Sequence, residues 1–269
     1  MGTKHQILFL SHGGGPMPIL GDPDHSEMVI CLEKLSSALP RPSAILVVSA
    51  HWEEKLPTIT SGANPPLIYD YYGFPEESYN IEYPCKGEPA LAEKICEQLE
   101  RAGIDSQLQE ERGFDHGLFV PLKIMFPKAD IPCVQLSLVN SLDPGLHVRI
   151  GQALQGLEHE NLLVIGSGFS FHNLKAFFAP ATEESRILNE SFESWLKDTC
   201  FNPTISSEER NQRLKDWEGA PGARYCHPRE EHLLPLHVCY GLAGRACNEL
   251  FEITILNKKS SMFLWSAEC

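Results

Sequence analysis

Near its amino terminus the chain reads Ile7-Leu-Phe-Leu-Ser-His12-Gly-Gly-Gly-Pro16, a segment that predicts both a fold and a site. An apolar run of strand length ends there in an imidazole and three consecutive glycines, which is typical of a buried strand followed by a loop. Because glycine has no Cβ, the backbone can pass close to anything that the His12 imidazole binds. The segment therefore predicts a strand with a functional histidine at its carboxyl end.

A second segment repeats this arrangement. Ala44-Ile-Leu-Val-Val-Ser49 has the pattern of a buried strand and leads directly into Ala50-His51-Trp52. Open α/β sheets bind ligands in the crevice beyond the carboxyl ends of their strands. If the two strands lie side by side and parallel, His12 and His51 meet in that crevice. Two imidazoles at one sheet edge suggest a metal site.

The rest of the chain alternates strand-like and helix-like patterns. Apolar strand runs recur at 131–138, 161–167, 251–256 and 261–265, and helical spacing recurs at 26–39, 89–99, 146–157 and before Gly241, with a long and a shorter helix expected within 182–217. No linker interrupts them, so we expect one α/β domain over residues 1–269, with a central, largely parallel or mixed sheet flanked by helices on both faces. The tyrosine-rich stretch 57–83 is expected to be a packed excursion that walls an aromatic pocket.

Composition argues against several classes of partner. With 22 basic and 36 acidic residues the formal net charge is −14, which disfavours binding to nucleic acid or to an anionic membrane. No apolar run reaches the roughly 18 residues of a membrane span, and no secretory signal is visible. The 9 cysteines include no C-x-x-C pair and fit free thiols in a reducing compartment, so we expect a cytoplasmic protein.

The 11 histidines differ in their expected roles. Four stand beside a strand end or a glycine and together favour a functional site: His12, His51, His116 and His172. Another four lie in polar or helical surface patterns and are expected to be solvated: His5, His25, His147 and His159. His237 is expected to pack on the last helix. His227 and His232 enclose Glu230 and Glu231, and this cluster either supplies a ligand or caps a helix.

Five short segments, each with a histidine, follow one another in a characteristic order. They are Ser11-His12-Gly13, Ser49-Ala50-His51-Trp52, Gly113-Phe-Asp-His116-Gly117, Phe171-His172-Asn-Leu174 and Glu231-His232-Leu-Leu-Pro-Leu236. In this order they resemble the class III (LigB-type) extradiol ring-cleavage dioxygenases, and within them the 4,5-DOPA dioxygenase branch. The resemblance runs from about Leu8 to about Gly241, so a single LigB-type catalytic domain is expected.

This resemblance implies a non-haem metal enzyme that uses O2 to open the ring of a small catechol beside its hydroxyl pair. Position by position, His12 and His51 match the two metal-binding histidines, and His232 matches the residue that completes the site in the DOPA branch. His172 matches the histidine that acts as acid and base, or that joins the ligands when zinc is bound. His116 matches a histidine that faces the substrate.

The resemblance also bears on the identity of the metal. In the protocatechuate branch the third ligand is a glutamate, whereas here the aligned residue is His232, with Glu230 and Glu231 only nearby. Iron(II) is expected for activity because it can pass electron density from ring to oxygen, while redox-inert zinc also suits an all-histidine site. The mechanism expected from this makes His172 the base that later returns a proton, assisted by His116. Monomer and homodimer both stay open.

Two other functions stay open as well. His12-Gly-Gly-Gly15 matches the oxyanion-hole motif of some esterases, and Gly168-Phe-Ser170-Phe-His172 resembles a nucleophile elbow that lacks its second glycine. The Memo proteins resemble this fold and keep metal-site residues, yet are regarded as binding or signalling proteins. Labelling of Ser170 by a fluorophosphonate would support the esterase. Ring cleavage by iron-loaded protein would distinguish the dioxygenase from a Memo-like protein.

Overall fold

The structure, a computed structural model, describes residues 5–267 of the chain. Its strands are β1 (Gln6–Ser11), β2 (Ala44–Glu54), β3 (Thr58–Thr60), β4 (Gln107–Gln109), β5 (Cys133–Val139), β6 (Leu162–Gly168), β7 (Glu249–Ile255) and β8 (Lys258–Trp265). They form an eight-stranded sheet in the order β4-β3-β5-β2-β6-β1-β8-β7. The four central strands, β5, β2, β6 and β1, run parallel. On one side β3 pairs antiparallel with β5, and on the other β8 pairs antiparallel with β1. The mixed α/β sheet expected from the sequence is confirmed.

The relation between the two histidine-bearing strands differs from the side-by-side arrangement considered above. Both β1 and β2 pair in parallel with β6, which lies between them. Ser11 of β1 is opposite Gly168, and Ser49 of β2 is opposite Ser167. β6 therefore brings the two carboxyl ends level at one edge of the sheet, and His12 and His51 meet across its end.

Nine α-helices occur within residues 5–267: α1 (Ser26–Ala38), α2 (Pro89–Arg101), α3 (His116–Met125), α4 (Pro144–Ala153), α5 (Leu174–Phe178), α6 (Glu183–Phe201), α7 (Ser207–Lys215), α8 (Ala223–Cys226) and α9 (Leu234–Ala243). Their ends follow from local chemistry. Thr182 and Ser185 form a reciprocal capping box at the start of α6. Gly244, in the left-handed region at φ 65°, ends α9. The long and the shorter helix expected in 182–217 are α6 and α7.

The core lies on both faces of the central strands. Every residue of β5 and β6 is buried, which requires helices on both sides of the sheet. Every residue of α9 is buried as well, and α9 packs against α4, β6 and β1. Among the helices of residues 5–267, none combines the length and the apolar character needed to cross a bilayer.

The tyrosine-rich stretch 57–83 packs onto the domain, as expected. Apart from β3 and a short 3-10 turn at Glu76–Asn80, it has no regular structure. Its own side chains hold it together, because the hydroxyl of Tyr69 donates to Ile81 O at 2.7 Å and that of Tyr71 donates to Ser78 O at 2.6 Å. Two anchored tyrosines thus flank Asp70, which fixes the position of that carboxylate.

Candidate metal centre

His12 follows β1 directly and is held by β6. Its N–H donates to the carbonyl of Gly168 at 3.0 Å, and its side chain is buried. Gly13 turns the chain away with φ at +84°, where a Cβ would lie 2.7 Å from the ring of Pro18. The hydroxyl of Ser167 donates its only proton to Gly117 O, so it accepts from His12 Nδ1–H at 3.1 Å. His12 therefore presents an unprotonated Nε2 to the crevice.

His51 lies within β2, at an irregularity of the strand. The register of β2 against β5 shifts between Ser49 and Glu53, and His51 lies inside the shifted segment. Its N–H donates to Ser49 Oγ at 3.2 Å. The result is that Nε2 of His51 lies 3.0 Å from Nε2 of His12.

His232 reaches the same point from the other end of the chain. It lies two residues before α9, and its carbonyl accepts from the N–H of Phe169 at 2.9 Å. A Cβ at Gly168 would lie 2.1 Å from that carbonyl oxygen, so the close approach of this segment to β6 requires glycine. Nε2 of His232 lies 3.3 Å from Nε2 of His51. The structure thus brings together His12, His51 and His232, three of the four histidines that the resemblance nominates as ligands.

Two further imidazoles complete the cluster. His116 begins α3, and its ring centroid is 3.9 Å from that of His51 and 5.4 Å from that of His12. His172 follows β6 and stacks on His232, with ring centroids 3.3 Å apart and planes 14° apart. The ligand atoms of His12, His51 and His116 lie within 4.8 Å of one another, as do those of His172, Glu231 and His232. All five histidines singled out by the motifs are therefore in one place.

Two carboxylates face the outer nitrogens of this cluster. Asp70 Oδ1 accepts from Nδ1 of His116 at 2.8 Å and from its backbone N–H at 2.9 Å, while Asp70 Oδ2 lies 3.5 Å from Nδ1 of His51. Glu231 Oε1 lies 2.9 Å from Nδ1 of His232 and 3.3 Å from Nδ1 of His172. Protein acceptors opposite Nδ1 fix the tautomer that leaves Nε2 free.

Asp115 braces the segment that carries His116. It is fully buried and accepts from Ser49 Oγ at 2.8 Å and from Arg112 Nη2 at 3.1 Å, with a further short hydrogen bond from Gln135 Nε2. Burial raises the pKa of this carboxyl despite its donors. The hydrogen bonds tie the start of α3 to β2 and β5, and this fixes His116 relative to His51.

The protein environment keeps the imidazoles of His12, His51 and His232 neutral. Burial, followed by the neighbouring histidines, holds the pKa values of His12, His51 and His232 well below the usual range. Burial opposes ionisation of Asp70, but its contacts with His116 and His51 outweigh this and lower its pKa. Neutral imidazoles backed by carboxylates are the state in which histidine binds a metal.

The separations of the His12 and His232 Nε2 atoms from Nε2 of His51 match those expected around a single ion. Imidazole nitrogens bound at about 2.1 Å to one ion are separated by roughly 3.0 Å at a right angle and roughly 3.4 Å at a tetrahedral angle. The observed separations from His51 Nε2 are 3.0 Å to His12 and 3.3 Å to His232. Unprotonated nitrogens this close to one another repel, so a cation fits where their lone pairs converge.

Several participants were missed or misassigned by sequence reasoning. Asp70 and Ser167 carried no signal, because one lies in an irregular segment and the other looks like ordinary strand. Glu231 faces the cluster, whereas Glu230 pairs with Arg224 at 2.7 Å. The prediction of solvated side chains was wrong for His5, His25 and His147, which are buried at 2%, 0% and 0% exposure. His159 is partly buried, and His237 is packed on α9 as expected.

The esterase interpretation is not supported by the position of Ser170. Its side chain is fully buried and its Oγ accepts from the backbone N–H of Ser261 at 2.8 Å. His227, the buried histidine nearby, donates from Nε2 to the carbonyl of Ser170 at 2.7 Å and does not activate its hydroxyl. A nucleophile must be exposed to substrate and bonded to its base through the hydroxyl.

The aromatic excursion supplies one wall of the crevice. The Tyr71 ring meets that of His116 edge to face, with centroids 5.6 Å apart. Phe74 packs against Tyr71 at 5.4 Å and lies over the glycine loop, where a Cβ at Gly15 would be 3.0 Å from its ring. The loop after β1 and the tyrosine-rich stretch therefore close around the imidazoles from two sides.

Comparisons with known proteins agree with this geometry. Residues 7–263 match the family described as the catalytic LigB subunit of aromatic ring-opening dioxygenase. A 4,5-DOPA dioxygenase extradiol of Beta vulgaris is 39% identical over 250 residues, covering 91% of this chain and 90% of that protein. The protein of the same name from Escherichia coli K12 is 37% identical, covering 87% and 83%.

Two further similarities extend this result. The dioxygenase tasH of Hapsidospora irregularis is 40% identical over 260 residues, covering 88% of this chain and 78% of that protein. A crystal structure of the uncharacterized protein JW3007 from Escherichia coli K12 superposes with a TM-score of 0.72 at 30% identity, covering 97% of this chain and 99% of that one. The family match and the structural likeness thus both extend over nearly the whole chain.

Proposed function

The chain belongs to the LigB family of aromatic ring-opening dioxygenases and is an extradiol dioxygenase, and from this premise we propose its substrate, its metal and the roles of its site residues. The substrate is a DOPA-like catechol, cleaved with O2. The metal is iron(II), bound by His12, His51 and His232. The observation that carries the proposal is the convergence of three Nε2 atoms at separations of 3.0 and 3.3 Å.

Iron(II) suits this donor set because it accepts imidazole ligands and leaves positions for other groups. Held by these three histidines, iron(II) would supply the redox chemistry that passes electron density from a catechol to O2. Zinc fits the same nitrogens but lacks that redox chemistry. We therefore assign iron to activity and zinc to a form that binds without turning over.

His172 and His116 move protons in this proposal. A catechol loses protons as it binds and the reaction returns one, so a base that becomes an acid is needed beside the site. Both histidines direct Nδ1 toward a carboxylate, which leaves Nε2 as the basic atom. His172 takes the proton of a catechol hydroxyl at Nε2 and later returns it, and His116 assists. The assignment of His172 as an additional ligand with zinc stays a prediction.

The surroundings of the site serve to bind and shield the ring. Tyr71 and Phe74 offer apolar surface beside the imidazoles, which favours an aromatic substrate and excludes water. We propose that residues 1–269 act as one catalytic domain in the cytoplasm. The partners are a small catechol and O2, and the protein works as a monomer or homodimer.

The proton role is tested with His172→Phe, compared with His159→Phe as a control at a partly buried histidine outside the cluster. After anaerobic loading with iron(II), we expect His172→Phe to bind DOPA, as seen in a spectral titration without O2. On admission of air it should form no yellow ring-opened product, whereas the control should turn over normally. Full turnover by His172→Phe would refute the role of His172.

The substrate and the metal are tested together. Iron-loaded and zinc-loaded wild-type protein are mixed in air with DOPA, catechol and protocatechuate, and the products are identified by mass spectrometry. We expect both atoms of ¹⁸O2 in the product from DOPA, and only with iron. Metal binding without product from any catechol would instead support a Memo-like binding protein.

A further inference from the structure

Four of the five clustered histidines share two carboxylates, so their Nδ1 atoms do not each have a separate acceptor. Asp70 faces Nδ1 of His51 and Nδ1 of His116, at 3.5 and 2.8 Å. Glu231 faces Nδ1 of His232 and Nδ1 of His172, at 2.9 and 3.3 Å. Each carboxylate thus joins one histidine assigned to the metal and one assigned to proton movement.

We propose that Asp70 and Glu231 are positioning residues, each orienting one metal ligand and one proton-moving histidine through a single carboxylate. The proposal rests on the ligand and proton roles assigned above. It implies that metal affinity and turnover depend on the same two side chains. His12 stands apart, because its Nδ1 is served by the neutral hydroxyl of Ser167.

Asp70 is built to hold its position. Its neighbours Tyr69 and Tyr71 are both anchored through their hydroxyls, to Ile81 O and Ser78 O. Its two oxygens point in different directions: Oδ1 accepts twice from His116, and Oδ2 faces His51. The carboxylate is about one-fifth exposed, so its hydrogen bonds are only partly screened by water. Oδ1 therefore orients His116, and Oδ2 orients His51.

Glu231 uses its oxygens differently. Because the rings of His172 and His232 stack with planes 14° apart, one oxygen, Oε1, can face both Nδ1 atoms. The other oxygen, Oε2, lies 3.4 Å from Nη1 of Arg229, and Arg229 is itself held by Glu53 through two contacts of 2.6 and 2.7 Å. The guanidinium fixes the rotation of the Glu231 carboxylate and therefore which oxygen faces the imidazoles.

The division of tasks at Asp70 gives a selective test. In Asp70→Asn the single amide oxygen is expected to stay with His116, where two N–H groups need an acceptor, which turns the amide NH2 toward the Nδ1–H of His51. Affinity for Zn²⁺, measured by chelator competition, should fall by about 10–100-fold, while kcat at saturating iron(II) stays within a few-fold. Asp70→Ala should lower both, because it removes both acceptors.

The second carboxylate is tested in parallel. Glu231→Ala should lower both Zn²⁺ affinity and kcat, since His232 and His172 lose the same oxygen. Glu54→Gln is the matched control, because the Glu54 carboxylate accepts from Trp52 Nε1 at 2.9 Å and not from an imidazole. It should change neither quantity. Wild-type Zn²⁺ affinity in either Asp70→Asn or Glu231→Ala would overturn the proposal.

A spectroscopic readout separates this proposal from the proposed activity. In zinc-loaded protein, ¹⁵N imidazole shifts should report His116 and His172 as Nδ1–H tautomers. Of these two histidines, Asp70→Ala should change only His116 and Glu231→Ala only His172. A protein that opens no catechol but shows these shifts would refute the dioxygenase assignment and keep the positioning roles. Unchanged tautomers in both variants would overturn the shared-carboxylate proposal whatever the activity.

Discussion

Two groups of buried histidines differ in what their inward nitrogens meet. In one group the nitrogens pair with backbone: His25 Nε2 accepts from Gly14 N–H, His147 Nε2 accepts from Val139 N–H, and His237 Nε2 donates to Leu214 O. In the other group, formed by His12, His51 and His232, Nε2 meets only further imidazoles. Burial alone therefore does not distinguish structure from function, whereas the partner of the second nitrogen does.

The two groups of histidines contribute differently to the free energy of folding. A buried imidazole satisfied by backbone stabilises the fold, and its removal leaves a backbone group without a partner. Buried imidazoles that face one another cost free energy until a cation joins them. The first group should thus control stability and the second should control metal binding.

The largest effect is expected when one histidine of each group is replaced by alanine. His51→Ala should weaken Zn²⁺ binding more than about 100-fold and lower ring-cleaving turnover at least about 1,000-fold, because a ligand supplies several kcal/mol of charge stabilisation. His237→Ala should keep metal affinity but lower the free energy of unfolding by about 2–4 kcal/mol, since the Leu214 carbonyl loses its donor and the missing ring leaves a cavity.

Chelator competition and urea denaturation of metal-free protein measure the two quantities in the same preparations. The difference between the groups would be lost if His237→Ala weakened Zn²⁺ binding as much as His51→Ala. It would also be lost if His51→Ala destabilised the metal-free fold as much as His237→Ala.

A smaller effect is expected from pH at His147. Burial lowers the pKa of His147 to about 4, and Nδ1 donates to Asp143 O while Nε2 accepts from Val139 N–H, so the folded state needs the neutral ring. Its contribution to stability is complete above pH 6.5. It is lost as the pH falls from about 6.5 to about 4, because there the unfolded chain binds a proton that the folded chain excludes.

This contribution is on the order of 3 kcal/mol, from the difference between the two pKa values. His147→Gln should flatten the decline of unfolding free energy between pH 7.5 and pH 5, measured by urea titration. His159→Gln, at a partly buried histidine, should flatten it much less. An unchanged pH slope in His147→Gln would remove His147 from the structural group.

The smallest effect concerns the ligand that no carboxylate serves. Ser167→Ala removes the acceptor of His12 Nδ1–H, which is expected to weaken Zn²⁺ binding by about tenfold, at the low end for a residue that orients a ligand. Ser137→Ala is the matched control, a buried strand serine whose Oγ accepts from Thr58 N–H at 3.0 Å. Equal Zn²⁺ affinity in the two variants would show that the hydroxyl does not orient His12.

Much of this site could be predicted because strand ends leave a local trace. His12 and His51 each follow an apolar run, and His116 lies between glycines, so their types and places were visible in the sequence. The α/β class followed from the same alternation of patterns. His232 could be nominated only through the resemblance, because its position depends on how α9 approaches Gly168.

What could not be predicted depends on contacts between distant segments. The position of β6 between β1 and β2 is set by packing, which no local pattern records. Asp70 lies in a segment without periodicity, so nothing marked it as the partner of His51 and His116. His147 looked solvated because its helix is amphipathic, yet it bonds to the end of β5 and is buried.

The place of β6 between the two histidine-bearing strands also orders events during synthesis of the protein. A nascent chain that has emerged only as far as β2 carries His12 and His51 but lacks the strand that aligns them, and His232 leaves the ribosome later still. If His12, His51 and His232 bind the metal as proposed, loading follows synthesis of residue 232 of the 269-residue sequence. Products that end before His232 would carry His12 and His51 but would lack the third proposed ligand.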